Sequence, residues 1–313
     1  MEFHRLAGGG PLVSAVCIGA SPLGSVPEIY GYEVDEAAAI ATVQRALAGP
    51  VQFIDTSNQY SDGESERRIG TAIDRFGGLP DGYVIATKAD PARGDTDFSG
   101  ARVHASFRES TERLGGVRFG VYYLHDPERF DFDSMVGPGG AVEAMAELKR
   151  DGLVDSIGVA GGDLDDLRRY VDTGVFDVVL NHNRYTLLDQ SAVPLIDQAI
   201  SAGMSFVNAA PYASGILAKP ATARAPYQYR QPDSAIVETT ERLRRACADL
   251  GVSLAAVALQ FSTRDPRISS TVVGVSQPQR VDELVANHAV FIPAEVWETI
   301  HSILAIEIRD ERR

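Results

Sequence analysis

Basic residues are scarce in this chain. Lys and Arg number 29 against 43 Asp and Glu, a formal net charge of −14. So acidic a chain is a poor partner for phosphate backbones or anionic membranes, and binding to either is not expected. Cysteine is nearly absent. Cys17 and Cys247 fall in a strand pattern and a helix pattern, where they read as small core residues rather than a disulfide. Long hydrophobic runs are missing too: the apolar stretches reach four to six residues, against the ~20 needed to span a bilayer. The opening MEFHRLAGGGPLVS has no basic start followed by an apolar run, so no secretion signal is legible. A soluble, cytoplasmic protein is the expectation.

Core-forming material is ample. The 313 residues are 44% hydrophobic and 23% charged, which excludes a disordered chain. At about 150 residues per domain the length allows two domains, yet α/β barrels reach this size as one. Strand patterns fall at Val13–Ile18, Val51–Asp55, Tyr83–Lys88, Gly120–His125, Ser156–Ala160, Phe176–Leu180, Met204–Ala209 and Thr271–Val275. Most are nearly continuous Val, Ile, Phe and Tyr, as parallel strands covered on both faces require. Helical patterns fill the gaps, among them Glu33–Ala48, stopped by Gly49-Pro50, and Gly140–Arg150, stopped by Gly152. Others are Glu64–Phe76, Arg102–Leu114, Asp163–Val171, Ala192–Ala202, Ser234–Leu250, Leu254–Arg264, Pro278–Asn287 and Pro293–Ile306. Eight strands alternating with helices, with no linker or repeat between them, predict a single-domain (β/α)₈ TIM barrel spanning residues 1–313.

A Rossmann fold is the competing α/β architecture, and it needs G-x-G-x-x-G after the first strand. Gly19-Ala20-Ser21-Pro22-Leu23-Gly24 does not fit, and Ser25 stands where a phosphate-binding loop needs Lys. Both nucleotide motifs fail.

Catalytic groups in a barrel sit at the C-terminal ends of its strands. Three consecutive strands end in polar residues directly after apolar runs: Asp55, Lys88 and His125, with Tyr60 five residues past Asp55. Taken singly, these match a structural ion pair, a satisfied core histidine and a loop aromatic. As an ordered set on successive strands they make a proton-transfer device that needs no metal. A free Tyr has a pKa of about 10; a neighbouring ammonium is expected to favour its phenolate. The carboxylate would orient the Lys, and a neutral His N–H would position a carbonyl or hydroxyl oxygen.

At this point a family resemblance appears. FIDTSNQYSDGESERRIGTAI, VIATK, VYYLHDPE and RESTERLGGVRFGVYYLHD resemble signature segments of the aldo-keto reductases, and the likeness runs from about Leu12 to Ile306. The resemblance implies nicotinamide-dependent interconversion of a carbonyl and an alcohol, with Tyr60 as general acid/base, Lys88 its activator, Asp55 the partner of Lys88 and His125 the orienting donor. The hydride would belong to the cofactor, since no side chain carries one. Cofactor contacts are implied for Ala20, Asn181, Tyr212, Gly274, Ser276, Arg280 and Glu283. The Ser-Asn pair that often follows the fifth strand is absent from Gly158-Val159-Ala160-Gly161-Gly162, and Ala209-Ala210-Pro211 occupies the place of the usual stacking aromatic, with Tyr212 as its substitute. After the eighth strand, Gly274 and the start of the Pro278 helix resemble the segment that cradles phosphate. A Lys often found near Gly274 in NADP-using members is missing, which inclines the expected cofactor, NAD or NADP, towards NAD.

LNHNRYTLLDQSA and SFVNAAPYASGIL resemble dehydrogenases of small sugars such as L-fucose, D-threo-aldose and L-galactose, with pyridoxal 4-dehydrogenase also similar. The expected reaction oxidises an aldose at C1 to a lactone; alternatives are pyridoxal oxidation, general aldehyde or ketone reduction, or a non-catalytic nicotinamide-sensing subunit. Asn181, His182 and Asn183 offer polar groups to such a substrate, and specificity is expected from the loops Pro22–Tyr32 and Lys219–Asp233. The expected partner is a small polar molecule. Monomer and homodimer both remain open.

Overall fold

The computed structural model describes residues 1–219, 227–228 and 231–310. It begins with an antiparallel hairpin, β1 (Phe3–Arg5) and β2 (Leu12–Ser14). Eight parallel strands follow among the described residues: β3 (Val16–Gly19), β4 (Phe53–Asp55), β5 (Val84–Ala89), β6 (Phe119–His125), β7 (Val154–Gly161), β8 (Val178–His182), β9 (Ser205–Ala209) and β10 (Ile268–Gly274). They close into a barrel in sequence order, β10 pairing with β3. The (β/α)₈ barrel is thus present. The helices are α1 (Pro27–Tyr30), α2 (Glu36–Leu47), α3 (Glu64–Phe76), α4 (Gly100–Arg113), α5 (Phe132–Val136), α6 (Ala141–Arg150), α7 (Leu164–Asp172), α8 (Val193–Ser201), α9 (Ser234–Asp249), α10 (Leu254–Thr263), α11 (Pro278–Ala289) and α12 (Ala294–Asp310).

Element boundaries follow local chemistry. The helix expected from Glu33 begins at Glu36, because the Asp35 side chain accepts from the Ala38 N–H and sets the start. Gly77 closes α3 in the left-handed conformation. The run Val13–Ile18 is two strands, not one. Ser14 Oγ donates to the Val16 carbonyl, turning the chain at Ala15 so that β2 pairs with β1 while β3 enters the barrel. Cys17 in β3 and Cys247 in α9 are buried and free. No single helix among the described residues is long and apolar enough to cross a membrane.

The barrel interior is a ladder of side chains two residues apart on each strand. Phe53, Val84, Ala86, Val121, Tyr123, Val178, Leu180 and Val207 fill it, and Leu6 and Val13 of the hairpin region join the same cluster from below. The alternate residues, such as Ile54, Ile85, Tyr122, Leu124 and Val179, pack outward against the helices. A third cluster joins α9, α10 and α12 around Leu243, Leu254 and Trp297.

Helix packing is equally tight where α3 meets the end of α4. A Cβ on Gly70 would lie 2.2 Å from the Arg113 carbonyl oxygen, a backbone atom that cannot swing away. Gly70→Ala is therefore expected to lower unfolding stability by about 1–3 kcal/mol. A urea midpoint equal to wild type would show that the two helices separate without cost.

Candidate active site

One step up the same ladder stands a polar tier. Asp55 lies two residues past Phe53, Lys88 two past Ala86, His125 two past Tyr123 and His182 two past Leu180, so all four are at the C-terminal mouth with inward parity. Lys88 is 1% exposed and Asp55 4% exposed. Lys88 Nζ donates to Asp55 Oδ1 and to the Thr56 carbonyl, both at 2.6 Å, and to the Tyr60 hydroxyl at 3.2 Å. The ammonium also sits 4.7 Å from the Tyr60 ring centroid. The Tyr60 and His125 rings meet edge to face, centroids 5.7 Å apart. The four side chains expected to act together are one cluster.

The loop carrying Tyr60 is held from behind. Buried Glu66 accepts from Thr87 Oγ1 at 2.6 Å and pairs with Arg113, which also donates to the Asn58 carbonyl. Asn58 Nδ2 in turn donates to Glu109, which takes a two-pronged bond from Arg102.

Electrostatics depart from two expectations. Burial pushes the Tyr60 hydroxyl well above its ordinary range, and Asp55, Asp126 and Asp90 push it the same way. The resting form of the protein therefore carries a neutral phenol, not one brought near neutrality by Lys88. Burial disfavours a cation at His125, but Asp90 and Asp126 outweigh it and raise its pKa. The two carboxylates thus shift the ring towards its imidazolium, the opposite direction from the neutral ring expected. Burial also raises the Asp55 carboxyl, against the pull of Lys88.

Asp90 is the residue that sequence reading missed. It follows β5, is fully buried, and its Oδ1 lies 2.7 Å from His125 Nδ1. In β5–β6 pairing Ala89 stands opposite Leu124, so Asp90 and His125 are the next rung. That register joins two strands and is written in neither segment alone, so no sequence signal marked Asp90.

The residues expected at the cofactor divide into two groups. Ala20 is buried beside the tier, its N–H donating to the Asp55 carbonyl at 2.8 Å. Asn181, buried at the end of β8, donates to the Gly161 carbonyl at 2.9 Å while its Oδ1 has no partner. Tyr212 lies beyond β9, with a hydroxyl pushed up to about 12 by burial and set near Asn287, Glu283 and Arg280 of α11. Gly274 ends β10 and is exposed, Ser276 is half-buried, and Arg280 donates to Glu283 at 2.5 Å on the open surface of α11. Gln277 caps α11 without a side-chain bond; Pro278 has no N–H and the Arg280 N–H donates to the Gln277 carbonyl at 3.0 Å, so the first turn has little but the Gln279 N–H to offer a ligand. The start of α11, with no side-chain cap, suits phosphate, so this end of the site fits a nicotinamide dinucleotide, whereas the fully buried Asn181 side chain shares the helix-facing parity of Val179 and is turned from the mouth. No group of three or more metal-ligating side chains occurs among the described residues. Most of the loop Lys219–Asp233 lies outside those residues; Gln228, within them, donates to Asp189 at 2.7 Å.

Known proteins bear on this geometry. The Aldo/keto reductase family profile matches residues 15–305. The chain is 32% identical to L-galactose dehydrogenase of Arabidopsis thaliana, over 91% of this chain and 88% of that one. It is 29% identical to D-threo-aldose 1-dehydrogenase of Pseudomonas sp, covering 93% and 94%. Pyridoxal 4-dehydrogenase of Microbacterium luteolum is 28% identical, covering 96% and 97%. In fold, an aldo-keto reductase of Bacillus halodurans (AKR11C1, holo form) superposes with a TM-score of 0.78 over 97% of this chain and 96% of that one, at 21% identity. Barrel, polar tier and family match converge: the chain belongs to the aldo/keto reductase family of NAD(P)-dependent oxidoreductases.

Proposed function

We propose that this enzyme oxidises a small neutral sugar at C1 to a lactone, with NAD⁺ as the preferred acceptor. The observation that carries the chemistry is the single cluster of Asp55, Lys88, Tyr60 and His125 at the mouth of the barrel. The sugar is supported by identity to two aldose-type dehydrogenases across nearly the whole chain.

When bound, the nicotinamide supplies the hydride acceptor or donor. The start of α11 would hold its phosphate end. During oxidation Tyr60 first gives up its own proton to solvent and then, as phenolate, takes the proton of the C1 hydroxyl; during reduction it returns one to oxygen. Lys88, 3.2 Å away, stabilises the phenolate that oxidation requires, and Asp55 keeps that ammonium oriented. Because burial holds the resting hydroxyl protonated, the reduction direction starts with its proton in place. His125 donates through Nε2 to the same substrate oxygen.

The preference for NAD⁺ rests on α11. Arg280, the cation at hand for a 2′-phosphate, is already engaged by Glu283, whose carboxylate would repel that phosphate. Reduced-nicotinamide absorbance with L-galactose, L-fucose and D-arabinose, each with NAD⁺ and NADP⁺, tests the reading. We expect turnover of at least one sugar, faster with NAD⁺. Turnover of pyridoxal alone would move the assignment to the second reading, which the whole-length likeness to pyridoxal 4-dehydrogenase favours.

A further inference from the structure

We propose that Asp90 is a positioning residue of this reaction, fixing His125 through Nδ1 so that a protonated Nε2 faces the substrate, and tying the Tyr60 loop to the same carboxylate. The inference rests on the reading above, in which His125 donates to the substrate oxygen.

Each oxygen of Asp90 has a distinct task. Oδ1 accepts from His125 Nδ1 at 2.7 Å, and Oδ2 accepts from Ser57 Oγ and, at 3.0 Å, from the Gln59 N–H. Ser57 and Gln59 lie in the turn that leads into Tyr60, whose N–H donates to the Ser57 carbonyl at 3.2 Å, so one carboxylate sets the His125 ring and the loop that carries Tyr60. The carboxylate is itself clamped. The backbone beneath it is held as well: the Asp90 N–H donates to Ser106 Oγ at 3.1 Å and the Asp90 carbonyl accepts from Arg102 Nε at 2.9 Å, both partners on α4. A fully buried carboxylate with this many donors stays ionised, and its pKa is lowered despite burial, chiefly by His125. Occupying Nδ1 leaves Nε2 as the nitrogen free to act, the usual consequence of a carboxylate behind an imidazole.

Other charges face the ring as well. Asp126 Oδ1 lies 3.7 Å from Nε2 and favours the cation; Lys88, from β5, opposes it. Asp55 from β4 and His182 from β8 are also within electrostatic reach, and Tyr60 packs against the ring edge. Asp90 is the carboxylate in hydrogen-bond contact with the ring, and unlike Asp126 it is out of solvent, so its charge is screened less than that of Asp126.

The test follows the ring protons of His125 by nuclear magnetic resonance through a pH titration of wild type, Asp90→Asn and Asp126→Asn, with His125→Gln to assign the signal. We expect a wild-type midpoint above 6.5, lower by about one unit or more in Asp90→Asn, and lower by less in Asp126→Asn. In the same variant kcat is expected to fall at least about tenfold, with KM for the nicotinamide nucleotide within about twofold. An unshifted midpoint in Asp90→Asn overturns the proposal. So does a wild-type midpoint below 6.5, which needs no variant to fold. Absence of nicotinamide-coupled turnover in wild type would instead sink the reaction reading, while the titration would still report on the Asp90–His125 pair.

Discussion

Tyr60→Phe is expected to lower turnover by about 10²–10⁴-fold while leaving the fold and nucleotide binding intact. The reason is geometric. Phe keeps the ring that meets His125 edge to face and lies under the Lys88 ammonium, and it deletes one hydroxyl, 3.2 Å from Lys88. Lys88 retains Asp55 and the Thr56 carbonyl, so no buried charge is stranded. Steady-state rates with the best sugar and NAD⁺, beside nucleotide binding by fluorescence, make the measurement. Retention of more than about a tenth of wild-type turnover would mean that another group moves the proton.

Lys88→Met should act on stability as well as rate. It leaves Asp55 buried without its cation and the Thr56 carbonyl without its donor. Breaking a buried pair from one side costs about 3–5 kcal/mol, whereas replacing both partners restores much of it. The expected order in urea is wild type, then Asp55→Asn with Lys88→Met together, then Lys88→Met alone. The pH dependence has a fixed sign. The Asp55 carboxyl is already raised by burial, and it rises further once the ammonium is gone. A raised carboxyl binds its proton more readily folded than unfolded, so the deficit of Lys88→Met should shrink as pH falls towards 5 and be full at 8. A deficit that does not change over that window would mean that the stranded carboxylate is hydrated, not buried.

What was legible in the sequence was whatever ran along a single strand. Asp55, Lys88 and His125 each end an apolar run with the parity of the side chains below, so periodicity alone sent them inward. Asp90 was illegible for the opposite reason. In Lys88-Ala89-Asp90-Pro91 it reads as a turn residue before proline, and its partner lies on another strand. The hairpin was hidden because β1 has only three residues and because Ser14 and Ala15, small residues compatible with a strand, gave no turn signal inside Val13–Ile18. The protonation of His125 and Tyr60 depends on Asp90, Asp126 and burial, none of which a strand pattern encodes.

The hairpin has a consequence for traffic. Leu6 and Val13 pack into the interior cluster at the lower end, so among the described residues side chains fill the barrel from the hairpin up to the polar tier and the C-terminal mouth is where a visitor would come and go. On the proposed chemistry two visitors share it, and the one seated deeper has to enter before its companion and depart after it. On that chemistry the masonry at the far end of the molecule would help to set the queue, without touching either guest.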